Sequence, residues 1–195
     1  MTNSLRSDQS LVVASREELD APAVPKAIDF RTLFTMHAPY VWNTLRRLGV
    51  PTPDLEDQTH EVFLQVRRHL DDYDSSRPLK PWLFGFAYRI ASQHRRRAHR
   101  RHETVGSERV EHAIDTAALA DERLAAEQDR RLVLEALDAI ALDRRAVFVL
   151  YEIDGVTMDE IARSLGIPVN TAYSRLRVAR GEFAAAVKRL KRGER

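Results

Sequence analysis

Residues 155–183, GVTMDEIARSLGIPVNTAYSRLRVARGEF, constrain the fold more than any other stretch of the chain. Thr157 followed by Glu160 has the form of a capping box, Thr at the N-cap and Glu at N3, ahead of an apolar stripe of Met158, Ile161, Ala162 and Leu165. Gly166 predicts a left-handed helix stop and Pro168 a new start, so the segment reads as helix, short turn, helix. Winding the second helix gathers Ala172, Leu176, Ala179 and Phe183 into one wedge. Asn170, Ser174, Arg177 and Val178 lie opposite, with Thr171 and Tyr173 on the flanks and Arg175 and Arg180 at the wedge margins. A plain helical hairpin with a polar outer face is one reading. The other is a duplex-DNA reader, with hydrogen-bonding side chains for base edges in the major groove and arginines along the phosphates. The coincidence of cap, glycine turn, packing wedge and polar face favours the second.

The rest of the chain must be compatible with that pair of helices, and its composition is. Only 7 Gly and 8 Pro occur in 195 residues, too few for a turn-rich β architecture, while Ala, Leu, Arg and Glu dominate. A mostly α fold follows. With no Cys there is neither a disulfide nor a thiolate metal site. No basic start precedes an apolar run, and no stretch approaches the roughly 18 apolar residues of a membrane span. The expectation is a soluble, cytoplasmic protein without membrane insertion.

Net charge is only +2, yet charge is sorted along the chain. RIASQHRRRAHRR, Arg89 to Arg101, holds six Arg and no acid, and the acids outnumber the bases from Glu103 to Asp129. Like charges at (i, i+3) and (i, i+4) destabilise a helix unless an anion stands nearby. A solvated helix end is the bland reading of this run; a nucleic-acid backbone is the functional one, and the missing acids favour it.

Residues 1–27 mix Ser, Asp, Ala and Pro without period and read as a disordered leader. From Ile28 to Gly49, the residues Phe30, Leu33, Phe34, Met36, Val41, Trp42, Leu45 and Leu48 predict an amphipathic helix with a kink at Pro39. Asp54 to Leu70 predicts a second helix with acids at its start; Leu55, Thr59, Val62, Phe63, Val66 and Leu70 share the core side. Its other side carries Asp57, Glu61, Leu64 and Arg68, with His60 beside them: a solvated face with one stray Leu, or a protein-binding patch. After the loop DDYDSSRPLKP, a third helix is apolar in its first half (Trp82, Leu83, Phe84, Phe86, Tyr88, Ile90) and basic in its second. An acidic linker over 103–128 follows, helical in its later part, LADERLAAEQDRR. The final domain, 129–192, opens with two helices broken around Ala141 to Asp143.

With these segments in order, the chain resembles the extracytoplasmic-function group of the sigma-70 family of RNA polymerase sigma factors. DLEDQTHEVFLQVRRHLDDYD is similar to the family's region 2.2, PWLFGFAYRIASQHRRR to regions 2.3 and 2.4, and EIDGVTMDEIARSLGIPVNTAYSRLRVAR to region 4.2. The resemblance implies an all-α protein of two small helical domains joined by a flexible linker: sigma-2 over 28–102, and sigma-4, carrying the helix-turn-helix, over 129–192. It implies promoter-specific initiation with core RNA polymerase and promoter DNA as partners, an anti-sigma factor as a further partner, and neither cofactor, metal nor catalytic residues. Asp57, His60, Glu61 and Leu64 fall on the helix the family applies to the β′ clamp helices, and sigma-4 is expected on the β flap. Ser75, Ser76 and Arg77 lie in the loop that captures an unpaired minus-ten base, which fits the physics of stacking and edge contacts. Arg89, Gln93, Arg95, Arg96, Arg97, Arg100 and Arg101 extend that surface. Asn170, Thr171, Tyr173, Ser174, Arg175, Arg177 and Arg180 belong to the helix that reads the minus-thirty-five element.

Some positions depart from the family pattern. His60 replaces the usual Gln, Arg89 a frequent Asn, Gln93 a frequent Asp, Asn170 a common Gly and Tyr173 a common basic residue, while Ala141-Leu142 stands where Leu-Pro is usual. The promoter sequences read are therefore this chain's own. A stand-alone helix-turn-helix regulator is the alternative, and it predicts DNA binding without polymerase. A metal-dependent hydrolase built on His60, Glu61, Asp71, Asp72 and Asp74 is a second rival, but no ligand spacing recurs on one buried face.

Overall fold

The computed structural model describes residues 29–104 and 121–193, and among them every regular element is helical. The leader 1–27 and residues 105–120 of the linker lie outside the described residues.

The first module is built on three helices: α1 (Phe30–Arg47), α2 (Leu55–Arg68) and α3 (Leu79–Thr104). Asp29 starts α1, its carboxylate accepting from the Thr32 amide at 2.9 Å and the Thr32 hydroxyl at 2.6 Å. The helix is continuous through Pro39, where the sequence predicts a kink. Leu33, Val41, Leu45 and Leu48 are buried as their spacing predicts, but Met36 is 68% exposed, because it falls on the outer side of the same helix. On α2 the stripe Leu55, Thr59, Val62, Phe63 and Val66 is buried, with Leu70 half-buried just beyond it. Phe63 meets Phe34 edge-on at 4.7 Å and Phe30 at 6.4 Å. The apolar half of α3 supplies Leu83, Phe84, Phe86, Ala87 and Ile90 to this core. At about 1.5 Å per residue, α3 is long enough for its basic end to run past the core.

The second module comprises α4 (Asp121–Asp138), α5 (Leu142–Phe148), a π-helical turn over Val149–Ile153, α6 (Met158–Leu165) and α7 (Val169–Lys191). The break between α4 and α5 falls where the sequence places it. Arg145, 3% exposed, closes the end of α4: Nη1 donates to Asp138 Oδ1 at 2.7 Å and Nη2 to the Asp138 and Ile140 carbonyls at 2.9 and 3.0 Å. Gly166 takes φ 65° and ψ 39°, and Ile167 N–H reaches back to Ala162 O at 2.9 Å, which stops α6 as predicted.

The capping box at Thr157 does not form. Thr157 has the extended backbone of an N-cap, but its side chain makes no capping bond. The Glu160 carboxylate is engaged by Arg163 at 2.6 Å and by Arg77 of the first module at 3.2 Å, two charge-assisted contacts that outweigh a neutral bond to an amide.

The two modules pack against each other, and buried residues of both belong to one continuous apolar core. Tyr40 of α1 donates its hydroxyl to Asp154 Oδ2 at 2.8 Å, and Arg47 stands 3.5 Å from the other oxygen. Burial pushes the Asp154 carboxyl above its ordinary range, with the Tyr40 hydrogen bond and Arg47 opposing it, and burial also raises the Tyr40 phenol.

Candidate nucleic-acid interface

On α7 the wedge is Ala172, Leu176, Ala179 and Ala186, with Phe183 half-buried and its ring 4.8 Å from that of Phe148. Three alanines at the seam allow α7 to lie close on its partners. The opposite face is solvent-exposed: Asn170, Tyr173, Ser174, Arg177 and Val178 point outward, and Thr171 is half-buried at the edge. Tyr173 is 57% exposed, an unusual display of aromatic surface unless something packs on it. Arg175 and Arg180, at the margins, are held by acids of the preceding segment. Arg175 Nε is 3.3 Å from Asp143 Oδ2, and Arg180 Nε 2.6 Å from Glu152 Oε1, with its guanidinium 5.5 Å over the Tyr151 ring.

On the first module, the loop before α3 is organised by its own side chains. Asp74 accepts from the Ser76 amide at 3.0 Å and its hydroxyl at 2.6 Å, and those bonds hold the Asp74 carboxyl below its ordinary value. The Tyr73 hydroxyl donates to the Arg77 carbonyl, and its ring lies 4.8 Å from that of Trp82. Ser75 is exposed at the tip, whereas Arg77 turns toward the second module and Glu160. Trp82 is half-buried against the core. Along α3, Arg89 lies 4.6 Å over Phe86 with its Nε donating to Gly85 O at 3.1 Å. Gln93, Arg95, Arg96, Arg97 and Arg100 are exposed, and the Arg101 side chain lies outside the described residues. The helix also meets an acid: Asp54, from the turn before α2, stands 2.9 Å from His94 Nε2.

The outer side of α2 carries Leu64, 51% exposed, with exposed Asp57 and His60 and half-buried Glu61. His60 stacks on Phe34 at 6.2 Å, and Glu61 accepts from Gln65 at 2.9 Å. The hydrolase constellation does not assemble, since Asp72 pairs with His69 at 3.0 Å and Asp74 is bound to Ser76. Among the described residues no group of His, Asp and Glu stands close enough to hold a metal ion, and no helix is long and apolar enough to cross a membrane.

The sequence reading assigns Glu160 to a cap and Asp143 to a helix break and gives Glu152 and Asp154 no role, whereas these four acids hold the arginines and the module seam. Gly85 was the one legible signal: an isolated Gly inside an aromatic helical run marks a close approach.

Comparisons with known proteins agree with this arrangement. The family described as Sigma-70 region 2 matches residues 33–101, and that described as Sigma-70, region 4 matches residues 130–182. The ECF RNA polymerase sigma factor SigL of Mycobacterium tuberculosis is 30% identical over 158 residues, covering 80% of this chain and 88% of SigL. The RNA polymerase sigma factor NccH of Alcaligenes xylosoxydans xylosoxydans is 27% identical over 158 residues, covering 80% of this chain and 85% of NccH. Among solved structures, the sigma factor RpoE of Bartonella quintana, crystallised with the anti-sigma factor NepR, has the same fold at a TM-score of 0.67 and 22% identity, covering 82% of this chain and 97% of RpoE. The two family matches, in this order on one chain, disfavour a stand-alone regulator. The chain belongs to the sigma-70 family of RNA polymerase sigma factors, in the extracytoplasmic-function group.

Proposed function

We propose that the chain is a promoter-specificity subunit that works in the cytoplasm and has no active site of its own, with catalysis left to core RNA polymerase. The outer face of α2, with Asp57, His60, Glu61 and Leu64, docks on the β′ clamp helices, and the second module seats on the β flap. Loop residues Ser75, Ser76 and Arg77, with Arg89 and Gln93, meet the minus-ten element, and Arg95, Arg96, Arg97, Arg100 and Arg101 attract its phosphates. Asn170, Thr171, Tyr173, Ser174 and Arg177 read minus-thirty-five bases from α7, with Arg175 and Arg180 on the backbone. Melting is driven by captured single-strand bases that offset the pairing and stacking given up by the duplex. An anti-sigma factor is a further partner, in keeping with the RpoE–NepR complex.

The observation that carries this reading is the asymmetry of α7: alanines inward, and a base-reading set of side chains outward along the same helix. Transcription with purified core polymerase and a promoter library tests it. The chain should bind little DNA alone and direct start sites once core is added. Arg177→Ala should weaken the preferred promoter by roughly 1–3 kcal/mol and others less, as expected for a bidentate bond to a base. Equal losses on every promoter would reduce Arg177 to a phosphate-binding residue, and specific DNA binding without core would restore the stand-alone regulator.

A further inference from the structure

A hollow of about 320 Å³ opens where α3 of the first module meets α6 of the second. The two helices touch beside it: a Cβ on Gly85 would lie 3.0 Å from the backbone oxygen of Ser164, and both residues line the hollow. Its walls carry Arg77, Arg89 and Arg163, the rings of Trp82 and Tyr88, and no acidic residue. Arg77 Nη2 and Arg163 Nη2 share the Glu160 carboxylate, at 3.2 and 2.6 Å. Arg89 is held without a carboxylate, by the Gly85 carbonyl at 3.1 Å and the face of the Phe86 ring. Among the described residues Arg77 Nε is buried with no hydrogen-bond partner.

Three guanidiniums gathered on one hollow repel, and the single carboxylate that pairs with them leaves a surplus of two positive charges. A buried N–H without an acceptor is costly as well. An anion of charge near −2 answers both. A phosphomonoester carries about −1.5 to −2 at pH 7 and offers three acceptor oxygens, which guanidiniums bind in pairs. Trp82 and Tyr88 are half-buried at the same hollow, so a planar ring joined to that phosphate finds aromatic faces to stack on. The volume is at the lower end of the roughly 300–1,000 Å³ of ligand pockets, which suits one ring and one phosphate better than a longer strand. Arg89 and Arg163 are exposed, so the mouth is open to solvent. A merely solvated cluster of arginines would leave Arg77 Nε to water.

We propose that this hollow binds a free metabolite that joins one planar ring to one phosphomonoester, the class of the nucleoside monophosphates. Arg77, Arg89 and Arg163 take the phosphate, and Trp82 and Tyr88 take the ring. The site goes beyond promoter recognition: it draws Arg163 from α6, which has no part in the DNA contacts proposed above, and it needs neither polymerase nor promoter.

Trp42 and Trp82 are the two tryptophans of the chain, so in full-length protein carrying Trp42→Phe the emission of Trp82 alone reports the hollow. AMP and GMP should quench it saturably, with a Kd in the micromolar range. Adenosine and inorganic phosphate, read by calorimetry because phosphate has no ring to quench with, should each bind at least about tenfold more weakly. Tyr88→Leu keeps apolar bulk but removes a ring: it should weaken the monophosphates about fivefold or more and leave phosphate unchanged. Arg163→Gln, at an exposed position, should weaken monophosphates and phosphate alike by at least about tenfold. Glu160→Gln keeps an acceptor for both guanidiniums and removes the competing charge, so it should tighten every anion, a gain that a misfolded chain would not give.

Absence of saturable binding by either monophosphate overturns the site. Phosphate that binds as tightly as AMP reduces it to an anion site in which the rings play no part, and overturns the ligand class. Monophosphate binding that is indifferent to Arg163→Gln, or no tighter with Glu160→Gln, places the ligand elsewhere. A short single-stranded oligonucleotide supplies the last arm. If it binds the free chain as tightly as AMP and loses as much with Arg163→Gln, the hollow belongs to the DNA surface and the free metabolite is overturned. None of these titrations contains polymerase, so failure of the promoter reading would leave them unchanged.

Discussion

The two arginine-bearing helices differ in how they are seated and in how their charge is managed. The apolar half of α3 is anchored by large side chains, Leu83 and Phe84 fully buried and Phe86 nearly so. Its basic end then carries Arg95, Arg96 and Arg97 exposed, with His94 tied to the nearby acid Asp54. By contrast α7 is anchored by alanines, and its marginal arginines are each set by a carboxylate, Arg175 by Asp143 and Arg180 by Glu152. A deep anchor with exposed charge suits attraction of a polyanion from any direction. A shallow, close anchor with guanidiniums oriented at its margins suits a fixed register against a duplex backbone. On the proposed function, one helix attracts and the other aims.

The anchors give the largest expected effect. Phe84→Ala removes a ring with no exposure and leaves a cavity in the apolar core, so the fold should lose about 3–5 kcal/mol, read as a drop in denaturant midpoint. At Ala179 the same logic runs backwards: Ala179→Leu forces bulk into a close seam and should cost about 1–3 kcal/mol. If Ala179→Leu were neutral, α7 would not depend on close approach, and the contrast in seating would disappear.

Charge comes next. Replacing Arg95, Arg96 and Arg97 together by Ala should reduce the salt slope of holoenzyme–promoter binding by about 2 to 3, at roughly 0.9 for each phosphate that is no longer neutralised. The weakening should be similar on every promoter if, as proposed, these residues meet phosphates and no base. A loss confined to certain promoters would show that α3 also aims.

Much of this arrangement was legible in the sequence, and the reason is that it rests on periodicity and on glycine. The wedge on α7, the core stripe of α2 and the stop at Gly166 follow from spacing alone, because burial repeats with the helical period and a left-handed residue has few candidates. What failed involves partners distant in the chain. Thr157 and Glu160 match the capping box letter for letter, yet Glu160 answers to Arg77, 83 residues earlier. Met36 sits at helical spacing from apolar neighbours but on a side left 68% exposed among the described residues. Asp54 meeting His94, and Tyr40 meeting Asp154, are products of tertiary placement that no local pattern encodes.

The smallest effect bears most directly on the word aim. Arg180 is half-exposed beside Glu152, and Arg175 lies nearer the seam beside Asp143. Ion pairs of this exposure contribute about 0–1 kcal/mol to stability, so Glu152→Gln and Asp143→Asn should leave the unfolding midpoint nearly unmoved. Their effect on DNA separates two roles. A carboxylate beside the phosphate path repels DNA, so its removal should raise affinity for any sequence. A carboxylate that fixes a guanidinium also sets register, so its removal should lower the ratio of preferred to altered minus-thirty-five binding. The geometry, with Arg180 held at 2.6 Å and laid over Tyr151, predicts both at once: nonspecific affinity up, and discrimination down by less than about fivefold, in holoenzyme binding to matched and mutated elements. If affinity rose equally on both, the acids would merely subtract charge, and α3 and α7 would differ in the amount of exposed charge and not in kind.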